Sequence, residues 1–404
     1  MINFMEAALS NGTKVIINQN KKSPIAAVTI HFPVGSKDDP SDKRGIAHLI
    51  EHMLFTGTPK VPDYDKFIQL AGGDSNAATY PDYTLYYGTV PPENLSGYLE
   101  MERDRFENVL FTPSKFEIQK NVVIEEYNEN VLLEPYGDCW HHILESIFED
   151  QYYAHPVIGK DEKSIQNISL DDLKIFFKKH YQDGLPVISV SSPYSEKKVL
   201  ELLELNFGNK FGQYSELKSY SPRKRKPTIT KIESKEKVDH FFMVWKLGQR
   251  FADEFYKCEM IVDALNGGYT GKLDLLVNQN SDIWEADAYT SEHINEVLFI
   301  IEAKCSEGYN KSAQKLIIEI LTELKSSLTN TELDKIKNQA ETDHFYNELY
   351  AMDRCITMAF FKAYDRTRLI NSEVEIYTCM NLSEIQNMAN YFVENSPFVF
   401  QYSQ

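Results

Sequence analysis

The pattern of the first half of this chain recurs in the second, and that repeat is what most limits its fold. "IAAVTIHFPVG" (25–35) and "HFFMVWKLG" (240–248) are apolar, β-prone runs closed by glycine. Each is followed by a stretch of helical periodicity that ends at glycine: "GIAHLIEHMLFTGT" (45–58) and "ADEFYKCEMIVDALNGG" (252–268). A duplicated strand–helix unit predicts an α+β fold of two homologous halves. Each half would be a mainly antiparallel sheet packed with helices. The 404 residues give each half about 200, long enough for its own core. The stretch before the second strand is polar, basic and proline-bearing. We therefore expect an N-terminal domain over 1–215, a linker over 216–236 and a C-terminal domain over 237–404.

Local signals fill in the first half. "TKVIINQN" reads as a strand, and helices are expected over about 45–55, 64–71, 92–108 and 113–131. Thr112 followed by Pro113 starts the last of these, as N-cap and first-turn proline. Gly72 and Gly73 mark a turn before "DSNAAT", and a strand follows Asp82. In the second half "NEVLFIIEAKC" reads as a strand, with helices over 309–328 and 331–364.

Composition excludes several classes. With 42% apolar and 25% charged residues the chain is not disordered. No apolar run approaches the length of a spanning helix, and the first residues lack the pattern of a secretory signal. The net charge of −18 repels nucleic acid and anionic membrane, so neither is an expected partner, while basic peptides would be attracted. The five cysteines are scattered, without a C-x-x-C, and suit reduced thiols in a cytoplasm. The basic run Arg223–Lys226, between two prolines, reads as solvated linker.

The chemistry is concentrated in one helix. His48 and His52 are four residues apart, so their rings lie on one helical face and can share one Zn²⁺. Glu51 sits close to the same face and can reach a metal-bound water as general base. The residues between are Leu49 and Ile50, and Ile46, Ala47, Met53, Leu54 and Phe55 flank them. A helix so apolar is buried, and polar groups buried with it need partners. A third ligand must come from another element. "QKNVVIEEYNEN" (119–130) offers Glu125, Glu126 and, more weakly, Glu129; periodicity does not choose among them. The other histidines, including His155 and His240, have no ligand spacing and read as structural.

These residues resemble the M16 family of zinc metallopeptidases, the inverzincins that include pitrilysin and the mitochondrial processing peptidase. The likeness is carried by "LSNGTKVII", "VGSKDDPSDKRGIAHLIEHMLFTGT", "AGGDSNAATYPDYTLYY", "LEMERDRFENVLF" and "NVVIEEYNEN", in the family's order and spacing. It implies the two-half M16/LuxS-like metallohydrolase fold with an inactive second half. It also implies His48, His52 and Glu126 as ligands of one zinc ion per chain, and Glu51 as general base. Glu125 then becomes a neighbouring or surface residue. Asn76 and Ala77 match a segment whose edge strand takes the substrate backbone.

Two positions depart from the family's pattern. Gln119 stands where many members have a supporting glutamate. In "LDLLVNQNSDIWEADAY" (273–289), Val277 and Trp284 occupy the places of an arginine and a tyrosine that bind substrate. Lys272, Trp284 or Tyr289 are the available substitutes. The expectation is therefore an endopeptidase subunit acting on extended peptides in a clam-shell chamber. It would be completed by a related subunit that carries the arginine–tyrosine pair, with a homodimer as the other assembly.

Overall fold

The computed structural model describes residues 1–148, 152–209, 211–212, 225–291 and 293–404. By contacts the chain forms two compact units, one of residues 1–130, 151–219 and 345–371, the other of 131–150, 220–344 and 372–404. These are not the contiguous stretches expected from the sequence. A segment of the first half contributes to the second unit, and a late segment contributes to the first. Of the expected linker, 216–224 lies outside the described residues, while Ile229–Glu233 is a strand.

The first unit is built on a sheet of six strands. They are β1 (Met5–Ala8), β2 (Lys14–Gln19), β3 (Ala26–Phe32), β4 (Asp74–Thr79), β5 (Thr84–Val90) and β6 (Val187–Ser192). The order is β1-β2-β6-β3-β5-β4, antiparallel throughout except for β2 and β6. β3 is buried along its whole length, which is why "AAVTIHF" is nearly continuous in apolar residues. β4 is at the sheet edge and is polar and half exposed, as an edge strand can be. The helix Ala351–Ala363 packs on β3 and β6.

Helix α1 (Ile46–Leu54) packs against β4 and against α2 (Pro113–Tyr127). It buries Ile46, Ala47, Leu49, Ile50, Met53 and Leu54. Its start is fixed by Asp39, whose carboxylate accepts from the backbone N–H of Gly45 at 2.6 Å and of Ala47 at 3.1 Å. These are donors that a helix leaves unpaired at its N-terminus. Gly45 has φ of 98°, and a Cβ there would stand 2.8 Å from the Ile158 carbonyl oxygen, so the turn into α1 requires glycine. α2 begins as expected, with the Thr112 hydroxyl accepting from the Lys115 N–H and Pro113 in the first turn. It runs on into a π-helical stretch, Asn128–Leu133.

The second unit has five strands: β7 (Ile229–Glu233), β8 (Val238–Lys246), β9 (Ile283–Thr290), β10 (Leu298–Ser306) and β11 (Phe398–Ser403). Their order is β7-β11-β8-β10-β9, with β7 and β11 parallel and the rest antiparallel. This repeats β2-β6-β3-β5-β4 of the first unit, including its single parallel pair, so the duplication read from the sequence is present in the topology. Helix α3 (Cys139–Ile147) packs on β11. Helix α4 (Asp253–Asn266) takes the place of α1, and α5 (Lys272–Gln279) follows it and packs on β9. The core lies between the sheet and α4, Asn310–Ser327 and Leu382–Glu394. Within the basic run, 223–224 lie outside the described residues. Arg225 is not a free linker residue: its Nη1 donates to the carbonyls of Glu145 and Ser146 at the end of α3, where a helix leaves acceptors unpaired.

Candidate metal centre

The packing of α1 leaves only His48, Glu51 and His52 on its open side, because every apolar residue between them faces the core. α2 supplies the opposing wall. The Glu126 Oε2 lies 3.4 Å from the His52 Nε2 and 3.9 Å from the His48 Nε2. The two imidazoles meet edge to face, with centroids 4.7 Å apart. One donor atom from each of His48, His52 and Glu126 lies within 4.8 Å of the others, and no other such group occurs among the described residues.

The protonation states suit a cation. Burial, then the neighbouring His52, pushes His48 down to about 4, so its ring is neutral at pH 7 and has a lone pair to give. Its hydrogen bond with His52 holds Glu126 below the usual glutamate range, so it is ionised. Zinc takes imidazole nitrogen and carboxylate oxygen at about 2.0–2.2 Å, so neighbouring donors of a tetrahedral site lie about 3.4 Å apart. The spacings of 3.4 and 3.9 Å are close to that requirement. Two nitrogens and one carboxylate also form the donor set of many three-ligand zinc sites, which keep a fourth position for water.

Glu51 stands beside this group without belonging to it. Burial raises its pKa, and the Thr79 hydroxyl opposes the rise by donating to Glu51 Oε2 at 2.5 Å. Thr79 is the last residue of β4, so the sheet edge and the carboxylate are tied directly together. The sequence gives little sign of this. "NAAT" is unremarkable as a string, and its threonine matters only because β4 ends over α1. The repeat keeps the relation: Thr290, at the end of β9, donates to Glu259 of α4 at 2.8 Å.

The remaining sequence candidates are distributed as follows. Asn76 is exposed on β4; Ala77 is buried, and its main-chain N–H donates to the Asn76 Oδ1 at 2.9 Å. Gln119 lies two turns before Glu126 on the same stripe of α2, and its amide has no hydrogen-bond partner among the described residues. Glu125 is exposed and outside the donor cluster, about 100° round the helix from Glu126, so it is a surface residue and does not support the ligands. Glu129 is exposed in the π-helical stretch. Lys272, Val277, Trp284 and Tyr289 all belong to the second unit. There Lys272 pairs with Glu332 at 3.0 Å, and the Tyr289 hydroxyl donates to Glu302 at 3.2 Å. Val277 is half-buried on α5, and Trp284 is half exposed on β9.

The fold and the donor set define a two-half α+β protein with a histidine–carboxylate cluster in its first half that could hold a metal ion. The family model for insulinase (peptidase family M16) matches residues 14–159, and that for the peptidase M16 inactive domain matches 167–340. The chain belongs to peptidase family M16. It is 25% identical to the zinc protease PqqE of Helicobacter pylori, over 96% of this chain and 90% of that protein. It is 23% identical to the uncharacterized zinc protease YmxG of Bacillus subtilis, over 81% of this chain and 80% of that one. In fold it matches the crystal structure of a protease from Helicobacter pylori over the whole of both chains, with a TM-score of 0.93 and 22% identity. It matches pitrilysin with a TM-score of 0.77 and 19% identity, spanning 45% of that longer chain. Among the described residues no helix is long and apolar enough to cross a membrane.

Proposed function

We propose that this chain is the metal-bearing subunit of a zinc-dependent endopeptidase. The observation that carries the reading is the convergence of His48, His52 and Glu126 beside a half-buried Glu51. His48, His52 and Glu126 would hold one zinc ion, which when bound supplies Lewis acidity at a scissile carbonyl and lowers the pKa of water. Glu51 takes the proton of the attacking water and returns it to the leaving amine. Burial makes its carboxylate a stronger base than a solvated glutamate, and Thr79 keeps it oriented. An extended peptide adds as a further strand to the free edge of β4, with Asn76 and the main chain of Ala77 in contact. That edge ends at Thr79, so a backbone docked there is led to Glu51.

Val277 and Trp284 at the places of the family's arginine and tyrosine support a divided site. A related subunit would bring that pair and close a clam-shell chamber around leader peptides, presequences or other small peptides. A homodimer is the alternative assembly. The five unpaired thiols accord with a cytoplasmic setting. The same two substitutions favour a second reading, a non-catalytic subunit of the same fold.

The test is cleavage of a quenched peptide library by the chain alone and with a related subunit, each beside Glu51→Gln. Cleavage that Glu51→Gln abolishes supports the peptidase, and a requirement for the second subunit supports the divided site. Full activity of the chain alone would sink the divided site. Silence in both arms would favour the non-catalytic subunit.

A further inference from the structure

The helices α1 and α2 are also joined by a contact that involves neither the histidines nor Glu126. The Nζ of Lys115, in the first turn of α2, donates to the carbonyl oxygen of Thr56. Thr56 follows the C-cap of α1, where a helix presents unpaired acceptors and the negative pole of its dipole. Lys115 is half-buried in this position. It lies eleven positions before Glu126. That is three helical turns to within about 20°, so both residues are on one face of α2, about 16 Å apart along its axis. α2 therefore meets α1 at two levels, through Lys115 at the end of α1 and through Glu126 beside His48 and His52.

Local rules do not favour a lysine at this place. Thr112 is the N-cap, so Lys115 is the third helical residue, where a glutamate or glutamine would complete a capping box. A cation in the first turn also opposes the helix dipole, and α2 has no acidic residue there to offset it. A residue in conflict with its own helix is expected where a tertiary contact depends on it. The contact with Thr56 is of that kind: the same ammonium that is unfavourable at the start of α2 is favourable at the end of α1.

The other end of α1 is held as well. Asp39 accepts from Gly45 and Ala47, so α1 has an anion at its start and a cation at its end, with His48, Glu51 and His52 between. Of these two anchors, Lys115 is the one that comes from the helix carrying Glu126. The second unit repeats the contact. Lys335, on the helix Asn330–Leu349, donates at 2.7 Å to the carbonyl of Gly267, directly after α4. α4 has no histidine, and no metal-ligating group occurs in that unit among the described residues. A lysine thus joins the corresponding helices in a half that has no metal site, so the contact aligns helices without help from an ion.

We propose that Lys115 is a positioning residue for the metal centre: its ammonium fixes α2 against the end of α1, so that the Glu126 carboxylate stands at the two imidazoles before a metal ion enters. A preformed site loses less freedom when its ion binds, and its affinity is higher for that reason. The inference rests on the reading of His48, His52 and Glu126 as zinc ligands, and it adds a residue that touches neither the ion nor the substrate.

The test is the zinc affinity of the full chain, measured by competition with a chromophoric chelator, for Lys115→Met and Lys115→Arg beside the parent. Methionine keeps the stem and removes the donor, and it should weaken zinc binding about tenfold. Arginine keeps a charged donor and should restore most of the affinity, which a space-filling role of the side chain would not produce. Lys120→Met is the charge control, because the Lys120 ammonium pairs with Glu117 of its own helix at 3.2 Å. It should bind zinc as the parent does. Thermal melting in the presence of chelator shows which variants are folded, and Lys115→Gln, uncharged and shorter, takes the place of Lys115→Met if that variant is not. Parent-like affinity in the folded methionine or glutamine variant would overturn the proposal, as would an equal loss in Lys120→Met or no recovery in Lys115→Arg. A parent chain that binds no zinc would overturn the zinc reading and this inference with it, whereas an unaffected Lys115→Met overturns the inference alone.

Discussion

The Thr79 hydroxyl, at the last position of strand β4, donates to the Glu51 carboxylate on helix α1 at 2.5 Å. One contact therefore links the edge that would hold a peptide backbone to the group that would move the proton. Thr79→Val keeps the shape and removes the donor. It should lower kcat/KM about tenfold with little change in melting temperature, while Thr79→Ser stays near the parent. Steady-state kinetics on a cleaved peptide checks this; equal rates for valine and threonine would remove Thr79 from the machinery.

Glu126 and Glu125 are adjacent in sequence but face different surroundings. Glu126→Gln should weaken zinc binding about 100-fold or more, whereas Glu125→Gln should leave it unchanged. Competition with a chromophoric chelator measures both without any substrate. Loss of affinity in the Glu125 variant instead would reverse the assignment.

Asp39 holds the start of α1 through the N–H groups of Gly45 and Ala47, and the His155 Nε2 lies 3.5 Å from its carboxylate. Both side chains are fully buried. Asp39→Ala leaves two backbone donors and a histidine without their partner. It should cost about 2–4 kcal/mol of stability, more than an ordinary N-cap loss of about 1 kcal/mol. Urea denaturation gives the figure, and a loss under 1 kcal/mol would mean that water replaces the carboxylate there.

His31 gives the first unit a specific acid sensitivity. It is fully buried in β3, stacked on Tyr83 with centroids 4.8 Å apart and edge-on to Tyr364 at 6.0 Å. Burial, with a smaller effect of Lys37, pushes its pKa down to about 3. The unfolded chain, with a histidine near 6.5, takes up the proton first. The contribution to stability is therefore complete above about pH 6.5 and falls as the pH drops toward 3. It amounts to about 2 kcal/mol lost by pH 5. His31→Phe preserves the aromatic contacts and should flatten the stability profile between pH 6.5 and 4. An unchanged profile would assign the acid sensitivity to other groups.

Much of this protein is legible in its residues. The glycine-closed strand followed by a helix announces the duplication, and the two sheets share one strand order down to the single parallel pair. The i, i+4 histidines and Glu51 on an otherwise apolar helix announce the centre, because burial of the apolar face leaves those three residues together. Period and spacing act within one element, and within one element they were sufficient.

Relations between elements were decided by tertiary structure. Helical phase separates Glu126 from Glu125 only once α2 lies against α1 and one side of it faces the histidines. Asp39 caps a helix that starts several residues later, and Thr79 reaches Glu51 across a gap of 28 positions. The segments 131–150 and 345–371 join the unit opposite to the one their place in the chain suggests. Residues 229–233 form a strand because β11, far along the chain, offers them an edge in parallel. Each of these is a contact between residues distant in sequence, set by which surfaces pack and which backbone groups still need partners, and no local period carries that information.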